Sequence, residues 1–339
     1  MRKLYILGMM LGVSAMFSAC NDEWKDELYQ QTISFKAPVG DNGLSEIYVR
    51  YQPNGAGIYQ LPVIVSGSKT NNRDVDVKIS VDEDTLRTLN QARFPADRQD
   101  IWYVPLAEKH YSFESNVCHI PAGESIKLYP INFNFTGLEL DDKYVLPLTI
   151  EEDPSYMPNK YKGRYKALLG VNLFNNYSGT YNTTLMNIYI EGTSSDPAKV
   201  DTRVARVVNE NTIFFYAGST WKEDEERSRY KVFVEFQEGT KDADGTIKGK
   251  LRVYGSPDEI GEKKTNIEPL GECTYEKRVV QHETIKYMER HLTTLELSYK
   301  YTDVTSNKKY PMTYEVKGSM TMERQINPLI PDEDQAIEW

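Results

Sequence analysis

Short segments in which apolar and polar residues alternate constrain the fold of this chain more than any other feature. The apolar residues Val75, Val77, Ile79 and Val81 alternate with polar ones, the period-two pattern of a strand with one buried face. Similar runs recur along the chain as far as residue 324, between turn-forming residues. One segment, 85–91, has a helical pattern after the capping residue Asp82. We therefore predict an all-β protein with one short helix.

The length of 339 residues indicates two domains. Residues 31–150 are expected to form the first, a β-sandwich. Residues 151–174, which begin rich in charge and proline, are expected to be a linker and a crossover strand. Residues 175–326 contain consecutive strand-like runs with short turns, which predict an antiparallel β-barrel or β-sandwich, followed by a tail at 327–339. Asp244-Gly245 is predicted to turn a hairpin in this second domain.

The N-terminus has the pattern of an export signal. Two cationic residues precede an apolar run at 4–17, which is short for a membrane span. Small residues then lead to Cys20, and the segment 17–20 resembles the bacterial lipobox, with Phe17 in place of the usual leucine. Residues 1–19 are therefore predicted to be a signal peptide, and Cys20 the lipidated residue. The alternative is a plain secretory signal followed by a chance cysteine.

Acidic residues follow the cysteine at once. Asp22, Glu23, Asp26 and Glu27 lie in the predicted tether, residues 20–30. This cluster resembles the signal that exports Bacteroidota lipoproteins to the outer face of the outer membrane. The resemblance implies a lipid-anchored protein on the extracellular face, and the alternative is an ordinary solvated tether.

The first half resembles a lipoprotein module of unknown function from Bacteroidota glycan-utilisation loci. The resemblance rests on residues 75–81, the helix through Leu86 and Leu89, and the segments 117–124 and 144–150. It implies an immunoglobulin-like sandwich, a module often found before endo-β-N-acetylglucosaminidase domains. The segments 177–181 and 318–324 resemble the C-terminal β module that accompanies it in some of these lipoproteins.

Charge and cysteine content narrow the possible partners. The formal net charge of −10 argues against nucleic acid as a partner.

Cys118 and Cys273 fall in different predicted domains, so two buried thiols are expected rather than a disulfide. The histidines lack metal-ligand spacing, and Asp242-Ala243-Asp244-Gly245 lacks the downstream glutamate of a calcium loop. We expect no metal and no cofactor.

A candidate ligand-binding segment surrounds Trp221, which lies in a small, polar and charged stretch that should be a loop. An exposed indole can stack on a sugar ring, and the nearby Arg227 can bind hydroxyl groups. Tyr216 and Tyr254 are further candidates on the same reasoning. The alternative is that Trp221 is buried and closes the end of its own domain, since tryptophan is usually well buried.

We expect a surface lipoprotein that binds glycan without cutting it, in a polysaccharide-uptake system of the starch-utilisation type. No pair of the 50 acidic residues stands out as catalytic. An outer-membrane transporter and its lid lipoprotein are the expected neighbours, and host N-glycan is the preferred ligand class, both implied by the resemblance. Two alternatives stay open: a structural or adhesive, fimbria-associated lipoprotein, and an unrecognised glycoside hydrolase.

Overall fold

The computed structural model describes residues 29–138, 141–256 and 264–330. They form an N-terminal β-sandwich and a C-terminal β-barrel, as the sequence predicted. In these ranges no helix combines the length and hydropathy that a membrane crossing requires. Cys20 and the acidic residues Asp22, Glu23, Asp26 and Glu27 lie outside the described residues, so their predicted roles stay predictions.

The sandwich consists of two packed sheets, with strand orders β1-β3-β8-β6 and β2-β10-β9-β4-β7, and β5 added beside β9. Most neighbouring strands are antiparallel, but β2 and β10 run parallel, as do β5 and β9. The strands are β1 (Thr32–Phe35), β2 (Ser45–Arg50), β3 (Ala56–Ser66), β4 (Val75–Val81), β5 (Tyr103–Pro105), β6 (Tyr111–Phe113), β7 (Val117–Ile120), β8 (Ile126–Asn134), β9 (Lys143–Ile150) and β10 (Lys166–Phe174). Short 3-10 helices lie at Pro53–Gly55, Gln99–Ile101, Glu108–His110 and Tyr161–Gly163.

The alternation of apolar residues builds the sandwich core. Val77 and Ile79 of β4 face inward, where they join Leu61, Ile131 and Leu146 in one apolar cluster. The intervening polar residues of β4 face outward. Period-two alternation buries one face of each strand and solvates the other, so packing follows directly from the sequence pattern.

The predicted helix is present as α1 (Glu83–Arg93). The Asp82 side chain accepts a hydrogen bond from the Thr85 backbone N–H, which satisfies a free donor of the first turn. Buried Asn90 then exchanges two hydrogen bonds with the backbone of Tyr103, at 2.8 and 3.0 Å. These bonds hold β5 against the helix and fix the position of Tyr103.

Residues 151–174 belong to the sandwich instead of linking the two domains. The backbone of Ile33 exchanges hydrogen bonds with Met157 and Asn159, and Tyr156 is buried in the sandwich core. β10, which was expected to cross into the second domain, lies between β2 and β9 in the second sheet. Alternate residues of β10 are apolar, and they complete the core of the sandwich. The chain passes between domains at residues 175–178.

Eight antiparallel strands close the barrel, in the order β14-β13-β12-β11-β20-β19-β18-β16, with β16 pairing back onto β14. Two short strands, β15 and β17, attach to β16 and β19. The strands are β11 (Gly179–Ile190), β12 (Thr202–Val207), β13 (Thr212–Tyr216), β14 (Lys231–Phe236), β15 (Thr240–Lys241), β16 (Ile247–Tyr254), β17 (Glu268–Pro269), β18 (Cys273–Gln281), β19 (Glu289–Asp303) and β20 (Met312–Ile326), with a 3-10 helix at Arg227–Tyr230.

Closure of the barrel removes the sheet edges and buries an interior of apolar side chains. Tyr181, Val232, Val234 and Leu295 are fully buried there. Asp242 to Gly245 forms the predicted hairpin turn between β15 and β16, with Gly245 in the left-handed region at φ 88°. Cys118 and Cys273 are buried free thiols, one in each domain.

Candidate functional site

A cleft of about 400 Å³ lies between the two domains. Its walls come from the second sheet of the sandwich and from strand β12 with the loop that follows β13. This volume falls in the range of small-ligand sites. Neither domain forms the cleft alone, so its shape depends on how the two domains are held together.

One wall of the cleft is a polar patch on the parallel strands β2 and β10. Glu46 accepts hydrogen bonds from the side-chain amides of Asn42 and Asn172, the latter at 2.5 Å. Gly170 pairs with Glu46 across the two strands, and a Cβ at residue 170 would collide with the Glu46 carboxylate. Glycine at this position therefore lets the carboxylate lie against the strand. Tyr48, opposite Asn172, adds a half-buried aromatic ring.

A second wall carries a cation above two aromatic rings. Phe94 and Tyr103 meet edge to face at 5.1 Å between centroids. The Lys143 ammonium lies 5.6 Å from the Phe94 centroid and 6.0 Å from that of Tyr103. Burial, and then the charge of Lys222, lower the pKa of Lys143. The helix α1 positions this wall, because Asn90 holds the backbone of Tyr103.

The barrel supplies the third wall. Val204 and Arg206, on the outer face of β12, line the cleft together with Lys222 and Glu223 from the loop after β13. The Val204 side chain is 46% exposed, so it presents an open apolar surface. Trp221 directly precedes Lys222, which places it next to the lining residues along the chain.

Buried charges hold the two domains in place around the cleft. Asp141 of the sandwich accepts a hydrogen bond from the Tyr216 hydroxyl of the barrel. The same carboxylate lies 3.7 Å from the Arg227 guanidinium and 3.9 Å from the Lys231 ammonium. Arg227 also donates to the backbone carbonyl of Asp100 at 3.1 Å. Charges this deeply buried are stable only when they are paired, so the contact fixes one arrangement of the domains.

Trp221 lies on the surface, with 60% of its side chain exposed. Its loop begins at Gly218, which has φ 55°, and a Cβ at that position would collide with the Tyr301 hydroxyl. The Arg203 guanidinium lies 6.0 Å from the centre of the indole. This exposure excludes the alternative that Trp221 fills the barrel interior. Its role in ligand binding stays a prediction.

The other predicted ligand residues do not lie with Trp221 on an open surface. Tyr216 and Arg227 are buried, and their polar groups are used in the contact with Asp141. Burial raises the pKa of Tyr216 above its usual range, and the Asp141 charge adds to this effect. Tyr254 stacks on Phe233 at 5.3 Å, on the outer face of the barrel. Ligand binding by these three residues stays untested, and two of them visibly join the domains.

Sequence reasoning missed the residues that form most of the cleft. Glu46, Lys143 and Asn172 are scattered over three strands, and β10 was read as a crossover strand. One signal was available: Gly170 interrupts the apolar run of β10, and a glycine inside a strand often marks a close approach by another group. Parallel pairing with β2, which brings Glu46 beside it, could not be inferred from that signal.

DUF4973, a domain of unknown function, matches residues 24–154, and a second family, described as a C-terminal domain, matches residues 165–321. The predicted resemblance to a module of unknown function is thereby confirmed in this general form. A search of curated proteins found no match.

Several solved structures from Bacteroides are similar over nearly their whole length. A multidomain protein including DUF1735 from Bacteroides ovatus is 39% identical, with 91% of this chain and 99% of that chain covered and a TM-score of 0.78. A protein of unknown function from the same organism is 40% identical, with 91% and 100% covered and a TM-score of 0.79. An auxiliary nutrient binding protein from Bacteroides thetaiotaomicron is 28% identical, with 90% and 100% covered and a TM-score of 0.74.

Proposed function

We propose that this chain, which belongs to the same family as the Bacteroides ovatus multidomain protein that includes DUF1735, is a non-catalytic binding protein for glycans. The solved relative from Bacteroides thetaiotaomicron described as an auxiliary nutrient binding protein supports a binding role. That the bound nutrient is a glycan is our own inference. It rests on the chemistry of the interdomain cleft.

The cleft is the observation that carries this proposal. It combines aromatic rings, which can stack on the C–H faces of a sugar, with amides and a carboxylate, which can bind hydroxyl groups. Tyr48 and Phe94 supply rings, while Asn172, Asn42 and Glu46 supply a hydrogen-bonded polar patch. Trp221 would extend the stacking surface beyond the lining residues, since 60% of it is exposed next to Lys222.

The buried contact around Asp141 makes the cleft a preformed site. A preformed site costs little conformational entropy when ligand binds, so a modest number of contacts can hold an oligosaccharide. The mechanism we propose is capture without bond cleavage. Many tethered copies would compensate for weak individual affinity, because a second site near a bound glycan acts at high effective concentration.

We further propose that the protein acts at the outer membrane, lipid-anchored through Cys20 on the extracellular face. The lipobox-like segment ending at Cys20 and the acidic residues 22–27 motivate this location. A multiply acylated cysteine anchors a protein stably, whereas a single chain does not. The expected neighbours are an outer-membrane transporter and its lid lipoprotein, with host N-glycan among the ligands to test first.

A glycan array with soluble residues 28–339 tests the proposal. We expect at least one oligosaccharide to bind, and Asn172→Ala, which removes an amide from the cleft, to weaken it. Tyr161→Ala is the control, because that ring is 64% exposed and is not among the residues that line the cleft. Equal loss in both variants, or no binding at all, would contradict the proposal. Shorter oligosaccharides released during incubation would contradict its non-catalytic part.

A further inference from the structure

The interdomain cleft concentrates positive charge in a chain whose formal net charge is −10. Four cationic side chains line it: Arg93, Lys143, Arg206 and Lys222. Lys143 is the centre of this group: burial and then the charges of Lys222, Arg206 and Arg227 lower its pKa, and Glu223 is the one carboxylate among the described residues whose charge raises it. Like charges brought together in a partly buried site repel one another unless an anion lies between them.

The acidic residues of the cleft are already engaged. Glu46 accepts hydrogen bonds from Asn42 and Asn172, and Glu223 lies 3.8 Å from the Lys222 ammonium of its own loop. Asp142 accepts a hydrogen bond from the Tyr144 hydroxyl at 3.3 Å. Among the residues that the structure describes, three carboxylates therefore face four cations in the cleft, and none of the three lies within ion-pair distance of Lys143 or Arg206.

Lys143 and Arg206 thus present their charges to the cleft. Over the described ranges 29–138, 141–256 and 264–330, neither residue forms an ion pair with a carboxylate. Lys143 lies over the Phe94 and Tyr103 rings, so its ammonium is held in place although no carboxylate of the described residues lies within ion-pair distance of it. Arg206 approaches from the barrel side, and a ligand that bridged the two residues would contact both domains.

We infer that the cleft binds an acidic glycan, whose oxyanion group, a carboxylate or a sulfate ester, lies between Lys143 and Arg206. The inference rests on the proposed function and gives its ligand a chemical class. A guanidinium can bind a carboxylate or sulfate through two parallel hydrogen bonds, and an ammonium adds a point charge. The polar patch around Glu46 would then bind hydroxyl groups of the same or the next sugar.

Matched pairs of oligosaccharides test the inference. Each uronic-acid oligosaccharide is compared with its carboxyl-reduced form, and each sulfated one with its desulfated form, by titration with residues 28–339. We expect an acidic member to bind about tenfold tighter than its neutral form, the usual size of one charge-assisted hydrogen bond. The preference should shrink at high ionic strength, since the cleft is open to solvent. The two kinds of pair show whether carboxylate or sulfate is preferred.

Two variants assign the preference to the named residues. Lys143→Met and Arg206→Gln each remove a charge and keep an unbranched side chain, so in each variant the ratio of acidic to neutral affinity should fall toward one. Lys241→Met is the control, because this lysine is exposed on β15, away from the cleft. Thermal unfolding of each variant verifies that it is folded. Equal affinity within every pair overturns the inference and leaves glycan binding standing, whereas no binding to any glycan overturns both.

Discussion

The Tyr216 hydroxyl of the barrel donates a hydrogen bond to the Asp141 carboxylate of the sandwich, and both side chains are buried. Arg227 and Lys231 lie on the same carboxylate, at 3.7 and 3.9 Å. One acid from the first domain thus lies beside two cations of the second, and Asp100, also in the first domain, lies 3.5 Å from the Arg227 guanidinium. The relationship explains why two residues that look like ligand contacts in the sequence are buried at the domain interface.

Asp141→Asn should destabilise the protein by about 3 kcal/mol, the lower end of the cost of breaking a buried ion pair, because the carboxylate beside Arg227 and Lys231 loses its charge while Asp100 still lies 3.5 Å from Arg227. Tyr216→Phe should cost less, about 1–2 kcal/mol, since only a hydrogen bond is lost. Chemical unfolding measures both. Asp196→Asn serves as the control, because Asp196 is exposed. Equal stability of Asp141→Asn and this control would show that the cluster does not hold the domains together.

Trp221→Ala should abolish most glycan binding and leave stability nearly unchanged. The indole is 60% exposed, so its truncation should alter the free energy of unfolding by at most about 0.5 kcal/mol, as at other surface positions. Ligand titration and thermal unfolding on one preparation measure the two effects. Tyr310→Ala, which removes a ring that is 63% exposed, is the matched control. Unchanged binding in a stable Trp221→Ala protein would remove this residue from the site.

Cys118 and Cys273 should not react with iodoacetamide at pH 8 in the native protein. Both are buried, and burial raises the pKa of Cys118 to about 11 and also raises that of Cys273. The thiolate is the reactive form, so mass spectrometry should find two labels only after denaturation of residues 28–339. A native protein that labels rapidly would contradict the buried positions.

The raised pKa of Cys118 also sets the direction in which protein stability changes with pH. Because the folded pKa of Cys118 is raised, its contribution to stability is complete below the unfolded pKa. It is lost as the pH rises from there toward about 11. Cys118→Ser should show a flatter loss of stability over this alkaline range.

Cys20→Ala should leave the protein in the soluble fraction or unprocessed. The motivation is the run Ser18-Ala19-Cys20 at the end of the signal-like segment. Detergent phase partitioning of the wild type and the variant shows whether Cys20 is needed for membrane anchoring. If the variant still partitions with the membrane, lipid on this cysteine is not what anchors the protein.

If the acidic tether residues are replaced with neutral ones, we expect the lipoprotein to be retained inside the outer membrane. The residues to replace are Asp22, Glu23, Asp26 and Glu27. Four acids within seven residues of the cysteine motivate this expectation. Protease treatment of intact cells compares the two proteins, with a periplasmic protein as the control for leakage. Equal cleavage of wild type and variant would end the export-signal interpretation.

Local patterns were enough to predict the β architecture. The alternation in β4, the cap at Asp82 and the turn at Asp244-Gly245 each involve residues close in sequence, so their geometry follows from local preferences. The exposure of Trp221 did not follow in this way, because the sequence left a buried indole open as the alternative.

What the sequence by itself determined is therefore the class of fold and the short helix. Tertiary structure alone decided that β10 completes the sandwich, that Asp141 meets Tyr216 and Arg227, and that Lys143 and Arg206 face one cleft. The physical reason is distance along the chain. Strand pairing and domain contacts join residues tens of positions apart, and no short-range preference specifies which strand lies beside which.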